Sequence, residues 1–417
     1  MKVKSIAAAA LLVASTAWTP AYSADLGGDC CADLEERVDE LEATTARKGK
    51  RKVSLTVSGQ VNELVYWWDN GQESNAYVGT SGFSSSRFRF LGSAQINADW
   101  SAGYLIEVEV VSAQVNRTDQ HDDDGSIGTN LRHSMWYLQS KTLGKISVGH
   151  TSHAADDITS SVCLGGVCGT AAQGNIDAAP GAALRFTGAG GSYFRASQLF
   201  AVGDVDRANI IRYDTPSIAG FVLSADWGED DMWSVALRYA GEFNGIKIAA
   251  AVGYFEDHDC NGAGGGKCAL YNDDLSPGDS GDRIYGDYNE IRASGAILHT
   301  PTGLFAEGGY VHREFDDTNG HDFNYWFVRA GIYQKFFALG KTSISGEYGS
   351  VSNDTYKSYE VDDDVFKDLS DGRHFGINLV QDIDSAAMNI FLGWRRFEAD
   401  GPTDSIDTIY SGARIQF

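Results

Sequence analysis

The segment KVSLTVSGQVNELVYW, residues 52–67, decides the fold class because its apolar and polar residues alternate one by one. The apolar residues share one parity: Val53, Leu55, Val57, Val61, Val65 and Trp67. The other parity is polar: Ser54, Thr56, Ser58, Gln60 and Asn62. Successive side chains of a β-strand point to opposite faces. The segment therefore predicts a strand with one apolar and one polar face.

The same alternation returns along the chain as far as Phe417. A clear example sets Phe88, Phe90, Ala94 and Ile96 against Arg87, Arg89, Ser93, Gln95 and Asn97. Short connections, such as 98–102 and 143–145, alternate with long ones, such as 69–85, 116–130 and 256–287. Short turns on one side and long loops on the other are typical of a transmembrane β-barrel. A soluble sandwich would bury its apolar face and would not need charges along a continuous inner face.

We therefore predict an all-β fold, a transmembrane antiparallel β-barrel of about sixteen strands. The predicted strand starts are Lys52, Ser84, Ala102, Thr129, Gly144, Arg207, Phe221, Trp233, Gly245, Asn289, Leu304, Phe323, Lys341, Gly372, Ala387 and Ile406. The alternation is weakest over 183–202, where Arg185 and Arg195 interrupt it. Fourteen or eighteen strands remain open. Aromatic residues near strand ends are interpreted as membrane-interface girdles: Tyr66, Trp67, Trp68, Trp100, Trp136, Trp227, Trp233, Trp326 and Trp394.

Composition excludes several other classes. The 417 residues include 48 glycines and only 6 prolines, and 12% are aromatic, which favours a β architecture. The net charge of −24 argues against nucleic acid as a partner, because phosphate neutralisation needs clustered Lys and Arg. A mean hydropathy of −0.25, with no apolar run of spanning length beyond the N-terminus, excludes a helical membrane protein.

The chain divides into three parts. Residues 1–23 resemble a secretory signal peptide, with Lys2 and Lys4 before an apolar run and small residues before Ala24. Loss of those two lysines changes the net charge from −24 to −26. Residues 24–51 form an N-terminal segment with a helix pattern at 33–47. This helix could associate in a trimer, dock on a larger body or be a plain linker, and the sequence leaves these roles open. The barrel domain occupies 52–417.

Six cysteines follow the predicted cleavage point, in an oxidising compartment. Two pairs are close enough in sequence to form loop disulfides: Cys163 with Cys168, and Cys260 with Cys268. The state of the adjacent Cys30 and Cys31 is open. No His lies at ligand spacing beside either pair, so we expect no metal site and no cofactor. The acidic runs 122–124, 272–274 and 362–364 lack the ligand spacing of a calcium-binding helix–loop–helix.

Several motifs resemble those of porins. CCADLEERVDELEATTARKG at 30–49, followed by KVSLTVSGQVN at 52–62, resembles the start of alphaproteobacterial porins. GKISVGH at 144–150, IRYDTPSIAGF at 211–221 and the terminal Phe417 are similar to motifs of the wider family. The resemblance implies a homotrimer in the outer membrane of a Gram-negative bacterium, in contact with lipid and lipopolysaccharide and inserted by the barrel-assembly machinery through Phe417. It also implies passive diffusion of small hydrophilic solutes and ions.

The same resemblance implies that the third long loop, Thr151 to about Ala183, folds into the lumen and constricts it. Its carboxylates, Asp156, Asp157 and Asp177, would face arginines of the opposite wall: Arg87, Arg89, Arg132, Arg207 and Arg212. Arg87 and Arg89 also lie on the polar parity, and an arginine facing lipid near the midplane costs roughly 2–4 kcal/mol. We expect weak cation preference, set by these loop acids facing Arg87 and Arg89, and the acidic vestibules should also concentrate cations.

Two other functions remain as alternatives. The long acidic loops and the helix at 33–47 would suit an adhesin or structural barrel. A barrel hydrolase would need a Ser/His or Asp/His constellation at the rim. The candidate catalytic residues that are close in sequence are His150 and His153 near Ser152, and His121 next to Asp122. We expect a channel without catalytic residues.

Overall fold

The computed structural model describes most of the barrel domain. The described residues are 53–123, 127–160, 162–188, 191–200, 205, 207–228, 231–258, 287–315, 322–353, 358–361, 364–367, 371–401 and 403–417. The predicted signal at 1–23, the segment 24–51 and the Cys260–Cys268 pair lie outside them. Within the described ranges, no helix combines the length and the apolarity needed to cross a membrane.

The described chain is almost entirely β-strand. The strands are β1 (Thr56–Asp69), β2 (Ser74–Thr80), β3 (Arg87–Gln95), β4 (Trp100–Val111), β5 (Gly128–Ser140), β6 (Gly144–Ser152), β7 (Arg185–Gly188), β8 (Gly191–Arg195), β9 (Arg207–Asp214), β10 (Phe221–Gly228), β11 (Met232–Phe243), β12 (Ile246–Asp257), β13 (Tyr288–His299), β14 (Leu304–Phe315), β15 (Asp322–Phe337), β16 (Gly340–Asn353), β17 (Ser358–Val361), β18 (Asp364–Lys367), β19 (Asp371–Ile383), β20 (Met388–Ala399) and β21 (Ile406–Gln416). A single helical turn, α1, spans Ala196–Leu199, and 3-10 turns span Ile176–Ala178 and Asp384–Ala386.

The wall is one closed antiparallel sheet. Neighbouring strands pair in chain order, and the first strand closes on the last, with residues 60–69 of β1 opposite residues 407–416 of β21. Two hairpins stand apart from this wall, β7 with β8 and β17 with β18. Pairing of the first strand with the last closes the wall, as a membrane-spanning sheet requires.

β2 and β3 share one position in the wall. Residues 63–69 of β1 pair with β2, and residues 56–60 pair with β3. The wall therefore has sixteen strand positions, which confirms the predicted number, and every predicted start lies within four residues of an observed one. The predicted loop over 69–85 was wrong in part, because β2 lies inside it. The glycine- and serine-rich segment 81–86 interrupts the strand and gave the whole stretch the composition of a loop.

The two faces of β1 have the predicted polarity. Val61 and Val65 expose 52% and 50% of their surface on the outside, whereas Asn62, between them, is fully buried inside. The apolar outer band and polar interior match a membrane barrel. Two predicted girdle residues were wrong: Tyr66 and Trp68 are buried in the interior. They lie on the inner parity of β1, where they pack against Tyr77.

The connection between β6 and β9 is residues 153–206, and we call it the inner loop; its described part lies inside the barrel. Its described residues supply many of the buried apolar side chains, which pack against inward aromatic residues of the wall. The sequence placed this loop at Thr151 to about Ala183. The structure corrects both limits, because Thr151 and Ser152 still pair with β9, and β7, β8 and α1 belong to the same connection. Arg185 and Arg195 interrupted the alternation because they lie in this hairpin and not in the wall.

Candidate functional site: the barrel lumen

Three arginines converge on one carboxylate of the inner wall. Glu107 on β4 accepts hydrogen bonds from Arg87 Nη1 at 3.2 Å, from Arg132 Nε at 2.7 Å and from Arg89 Nε. The Glu107 side chain is 3% exposed, while the arginine side chains expose 10–20%. We call these four residues the arginine cluster. Charge-assisted bonds of this kind fix the guanidinium groups in place.

Strand register explains how the arginine cluster forms. Arg89 lies directly opposite Glu107, and Arg87 lies two residues away along the strand, opposite Glu109. Arg132 reaches the same carboxylate because β5 contains a bulge there. Glu107 of β4 pairs with His133 of β5, but the next residue of β4, Val108, pairs with Leu131 and leaves Arg132 without a partner in the register. A bulge places an extra residue on one strand and re-aims its side chain. Arg132 is that extra residue.

A second group connects the wall to the inner loop. Arg207, at the start of β9, lies 3.4 Å from His133 Nε2 and 3.9 Å from the Asp156 carboxylate. Arg132 also lies 3.8 Å from Glu109. The wall arginines and the loop acid Asp156 therefore belong to one continuous charged surface.

The root of the inner loop is held by buried charges of β9, β10 and β11. Asp226 Oδ1 lies 2.6 Å from His153 Nδ1, and its other oxygen accepts the Ala154 backbone N–H. Arg212 donates to the backbone carbonyls of Ser152 and His153 at 3.1 and 3.0 Å. These bonds satisfy backbone groups that would otherwise be buried without partners.

Beyond its root, the inner loop makes hydrogen bonds with side chains of six wall strands: β13, β14, β15, β16, β21 and β1. The wall side chains that make these bonds are Ser294, Glu307, Arg329, Ser343, Tyr410, Arg414 and Asn62. Their partners in the loop are all backbone groups between Ile158 and Gln173. The loop therefore lies along the inner wall and does not project freely into the lumen.

Cys163 and Cys168 form a disulfide in the inner loop, as predicted. The six-residue ring lies against β14 and β15: Leu164 N donates to Glu307, and a side chain at Gly165 would collide with the Phe305 ring at 2.2 Å. Glycine therefore allows the close approach of the loop to the Phe305 ring. Cys163, Cys168 and Glu307 are the group of possible metal ligands among the described residues, but the disulfide occupies both sulfurs.

The three predicted loop acids have different surroundings. Asp156 is buried beside Arg207, and Asp157 accepts a bond from Ser160 Oγ at 2.9 Å. Asp177 is half-buried on the 3-10 turn. Burial raises the pKa of Asp177 to about 6, although the positive charge of Arg292 opposes the shift.

Comparison with known proteins identifies the family. The sequence profile of Gram-negative porins matches residues 7–407. The chain belongs to the Gram-negative porin family. It is therefore an outer-membrane β-barrel that forms a passive diffusion channel. Family and fold both favour a channel over an enzyme. No curated protein matches the chain in sequence.

Solved structures share the fold of this porin at low sequence identity. An anion-selective porin from Comamonas acidovorans is 16% identical, with a TM-score of 0.57, and the match covers 88% of this chain and 100% of that one. OmpT with loop L8 deleted, an outer membrane protein of Vibrio cholerae, is 15% identical, with coverages of 88% and 100% and a TM-score of 0.54. OprB from Pseudomonas putida is 9% identical, with coverages of 92% and 97% and a TM-score of 0.56.

Three of the predicted arginines of this porin share one partner, Glu107, which was not predicted. Arg87, Arg89 and Arg132 come together, while Arg212 lies apart, buried against Asp214 and the loop root. Glu107 was missed, although its position on the polar parity of β4, between Ile106 and Val108, would have indicated it.

Further charged groups of the inner wall were missed as well. Glu347 is bound by Arg329 and Arg395, and Glu290 by Arg292 and Arg313. All are buried in the wall. Their inward parity was visible in the sequence, but nothing in the sequence indicated which carboxylate each arginine would meet.

Proposed function

We propose that this chain is a general diffusion porin in which the inner loop constricts the lumen and solutes pass along the arginine cluster. The observation that carries the proposal is the path of the inner loop, which is bonded inside the barrel from β10 round to β1. A sixteen-stranded barrel leaves an aqueous channel unless something enters it. The loop reduces that channel, and the charged groups beside it select among solutes.

The direct test is ion conductance of the purified protein in planar lipid bilayers. We expect discrete, uniform conductance steps. A matched variant that deletes residues 163–168 should open the lumen and raise the unit conductance. Absence of steps from folded wild-type protein would favour the adhesin or structural barrel. An unchanged unit conductance in the deletion variant would place the constriction elsewhere.

In this proposal the porin is a homotrimer, and the outer face of β1 and β21 is the contact between copies. Glu63 lies on that face, between Val61 and Val65, where its carboxylate accepts bonds from Thr80, Ser86 and Ser112 at 2.8–3.2 Å. A carboxylate facing lipid is unfavourable, so a second copy is a better cover than acyl chains. The neighbouring Ser411 and Ala413 are small and allow close approach. A Vibrio cholerae neighbour is described in a trimer form.

Light scattering in mild detergent tests this assembly. The wild-type protein should have the mass of three chains. Ala413→Trp places a bulky ring on the proposed contact and should reduce the mass to one chain. Ala225→Trp is the matched control, because Ala225 is exposed on the outer face of β10, away from β1 and β21. A trimer that tolerates Ala413→Trp as well as it tolerates Ala225→Trp would contradict the proposed interface.

The ends of the chain complete the proposal. Residues 1–23 direct export, residues 24–51 carry the helix at 33–47, which either trimerises or docks on the barrel, and 52–417 form the barrel. The resemblance of residues 30–62 to alphaproteobacterial porins supports this division. Phe417 is recognised by the barrel-assembly machinery, and the outer face contacts lipid and lipopolysaccharide. Edman sequencing of the mature protein should begin at Ala24.

A further inference from the structure

An apolar groove of about 930 Å³ crosses the outer face of the wall between β12 and β20. Exposed side chains such as Ile297, Val328 and Ile377 border it. Its floor consists of small residues that follow one another across five strands: Ala250, Gly295, Gly308, Ala306, Ala330 and Gly346. At about 4.8 Å between strands, the floor is roughly 19 Å long. Since one leaflet of the hydrocarbon core is about 15 Å thick, the groove has the length of an acyl chain.

Two glycines of the floor leave space that the barrel itself does not use. Apart from the adjoining residues of its own strand, a Cβ added at Gly295 would lie 4.0 Å from the nearest atom, and one added at Gly346 would lie 3.9 Å away. A glycine that makes room for a neighbour is different: a Cβ at Gly393 would lie 2.3 Å from the Tyr410 ring. The space above Gly295 and Gly346 is therefore available to a molecule outside the barrel.

The groove continues into a polar pocket of about 360 Å³ at the long-loop end of β15, β16 and β19. Tyr348 lines both, and its ring centroid lies 5.5 Å from that of Trp326. Two residues beyond Tyr348, the pocket begins with Ser350, which lies opposite Arg373. Outward Trp and Tyr residues mark the level of lipid head groups. Polarity therefore changes along this site where it changes in a membrane.

The charged groups of the pocket are accessible. Asp371 and Asp400 are both exposed in its lining. The Arg373 side chain is 55% exposed, and its Nε donates to Glu398 at 2.5 Å. Three carboxylates therefore face one guanidinium, so the pocket is acidic and also offers a donor group. An ammonium is attracted by the carboxylates, and a phosphate can still reach the exposed guanidinium.

The charges described around the pocket do not offset this acidity. Arg396, on the neighbouring strand β20, is paired with Asp407 at 2.6 Å. Glu314 and Asp322 lie opposite each other at the long-loop ends of β14 and β15 and add negative charge. A surface of this sign attracts cationic groups and repels anionic ones.

We propose that the groove and the pocket together bind one phospholipid with an ethanolamine head group. An acyl chain occupies the groove, the ammonium donates to Asp371 and Asp400, and the phosphate contacts Arg373. Bulk lipid chains are as apolar as the groove, so the head group supplies the preference for this lipid. The site lies outside the proposed contact of β1 and β21, and lipid binding does not depend on conduction.

Native mass spectrometry tests the lipid preference. The detergent-solubilised porin is mixed with equal amounts of phosphatidylethanolamine, phosphatidylcholine and phosphatidylglycerol, and the lipid retained per chain is counted. Phosphatidylcholine has no ammonium N–H to donate, and phosphatidylglycerol carries a net negative charge. We expect one phosphatidylethanolamine per chain, retained about tenfold better than either of the other lipids.

Matched variants test the location. Ala330→Leu fills the groove and should reduce retention of phosphatidylethanolamine about tenfold. Ala225→Leu makes the same change at an exposed alanine of β10 outside the groove and should behave like the wild type. Asp371→Asn should weaken the preference for ethanolamine about threefold. Asp384→Asn, at an exposed aspartate of the short-turn end, should leave that preference unchanged.

Three results would overturn the proposal. The first is equal retention of the three lipids by the wild type. The second is a groove variant, Ala330→Leu, that retains lipid as well as Ala225→Leu does. The third is a fall in the mass of Ala330→Leu to one chain by light scattering, which would assign the groove to a second copy. A protein that retains phosphatidylethanolamine but conducts no ions would contradict the pore function and leave the lipid site standing.

Discussion

Glu107→Gln is the sharpest test of the arginine cluster. The substitution keeps the shape of the side chain and one acceptor oxygen but removes the negative charge that Arg87, Arg89 and Arg132 share. Within 4 Å, Glu109 then remains as a carboxylate partner, beside Arg132. The local charge becomes more positive by one, so we expect permeability to shift from cations toward anions.

The expected magnitude follows from Coulomb's law. For an ion about 8 Å from the carboxylate in water, one unit charge contributes roughly 0.5 kcal/mol. Screening at physiological salt, with a Debye length of about 8 Å, reduces this to roughly 0.2 kcal/mol. The change has opposite signs for a cation and an anion, so the two effects multiply in their permeability ratio. The cation/anion ratio should therefore fall by about two- to sixfold, with the larger value at low salt.

Reversal potentials across a bilayer under a salt gradient measure this ratio directly. Glu314→Gln is the matched control, because it removes the same charge from an exposed side chain at the end of β14, far from the cluster along the wall. The control should leave the ratio within experimental error of the wild type. A Glu107→Gln channel with an unchanged ratio, or one that moves toward cations, would show that ions do not pass close to this cluster.

Three other outcomes are expected. Burial raises the pKa of Asp177 to about 6, so its carboxylate is mostly charged at pH 7.5 and mostly neutral at pH 5. Acidification should therefore lower the cation/anion permeability ratio. Asp177→Asn should reduce this pH response. Mass spectrometry of non-reduced peptides should recover the Cys163–Cys168 bridge and the predicted Cys260–Cys268 bridge; free thiols at either pair would contradict that assignment. Finally, raising the salt from 0.1 to 1 M should weaken cation preference, because vestibule charges act over distances that salt screens; a preference independent of salt would assign selectivity to the constriction alone.

The wall of the barrel could be predicted from the sequence because the pattern that defines it is local. A period of two determines which residues of a strand face outward, and Val61, Asn62 and Val65 lie where their parity placed them. The interior could not be predicted in the same way. Tyr66 and Trp68 resemble girdle residues by type, but parity turns them inward, where they pack against Tyr77. The course of that loop depends on contacts such as Tyr410 with Ala171, which join residues far apart in the chain.

The arginine cluster shows where parity itself stops being informative. Arg87 and Arg89 lie on a regular strand, so their inward direction followed from their neighbours. Arg132 lies at a bulge, where the alternation shifts by one residue, and only the pairing of β4 with β5 shows that it reaches Glu107. A bulge has no fixed sequence signature, so the side-chain direction at Arg132 could not be inferred from spacing.

Net charge is similarly uninformative about the field inside the pore. The chain carries −24 overall, yet buried acids such as Glu347 are neutralised by two arginines at 2.5 and 3.0 Å. Paired charges of this kind nearly cancel at a distance, whereas an unbalanced group acts on ions within about a Debye length, roughly 8 Å at physiological salt. Ion selectivity should therefore follow the local net charge, which is positive at the arginine cluster and negative at the vestibules. Vestibule charges act over longer distances than the cluster, so rising salt weakens their influence faster, and the salt dependence of the permeability ratio separates the two contributions.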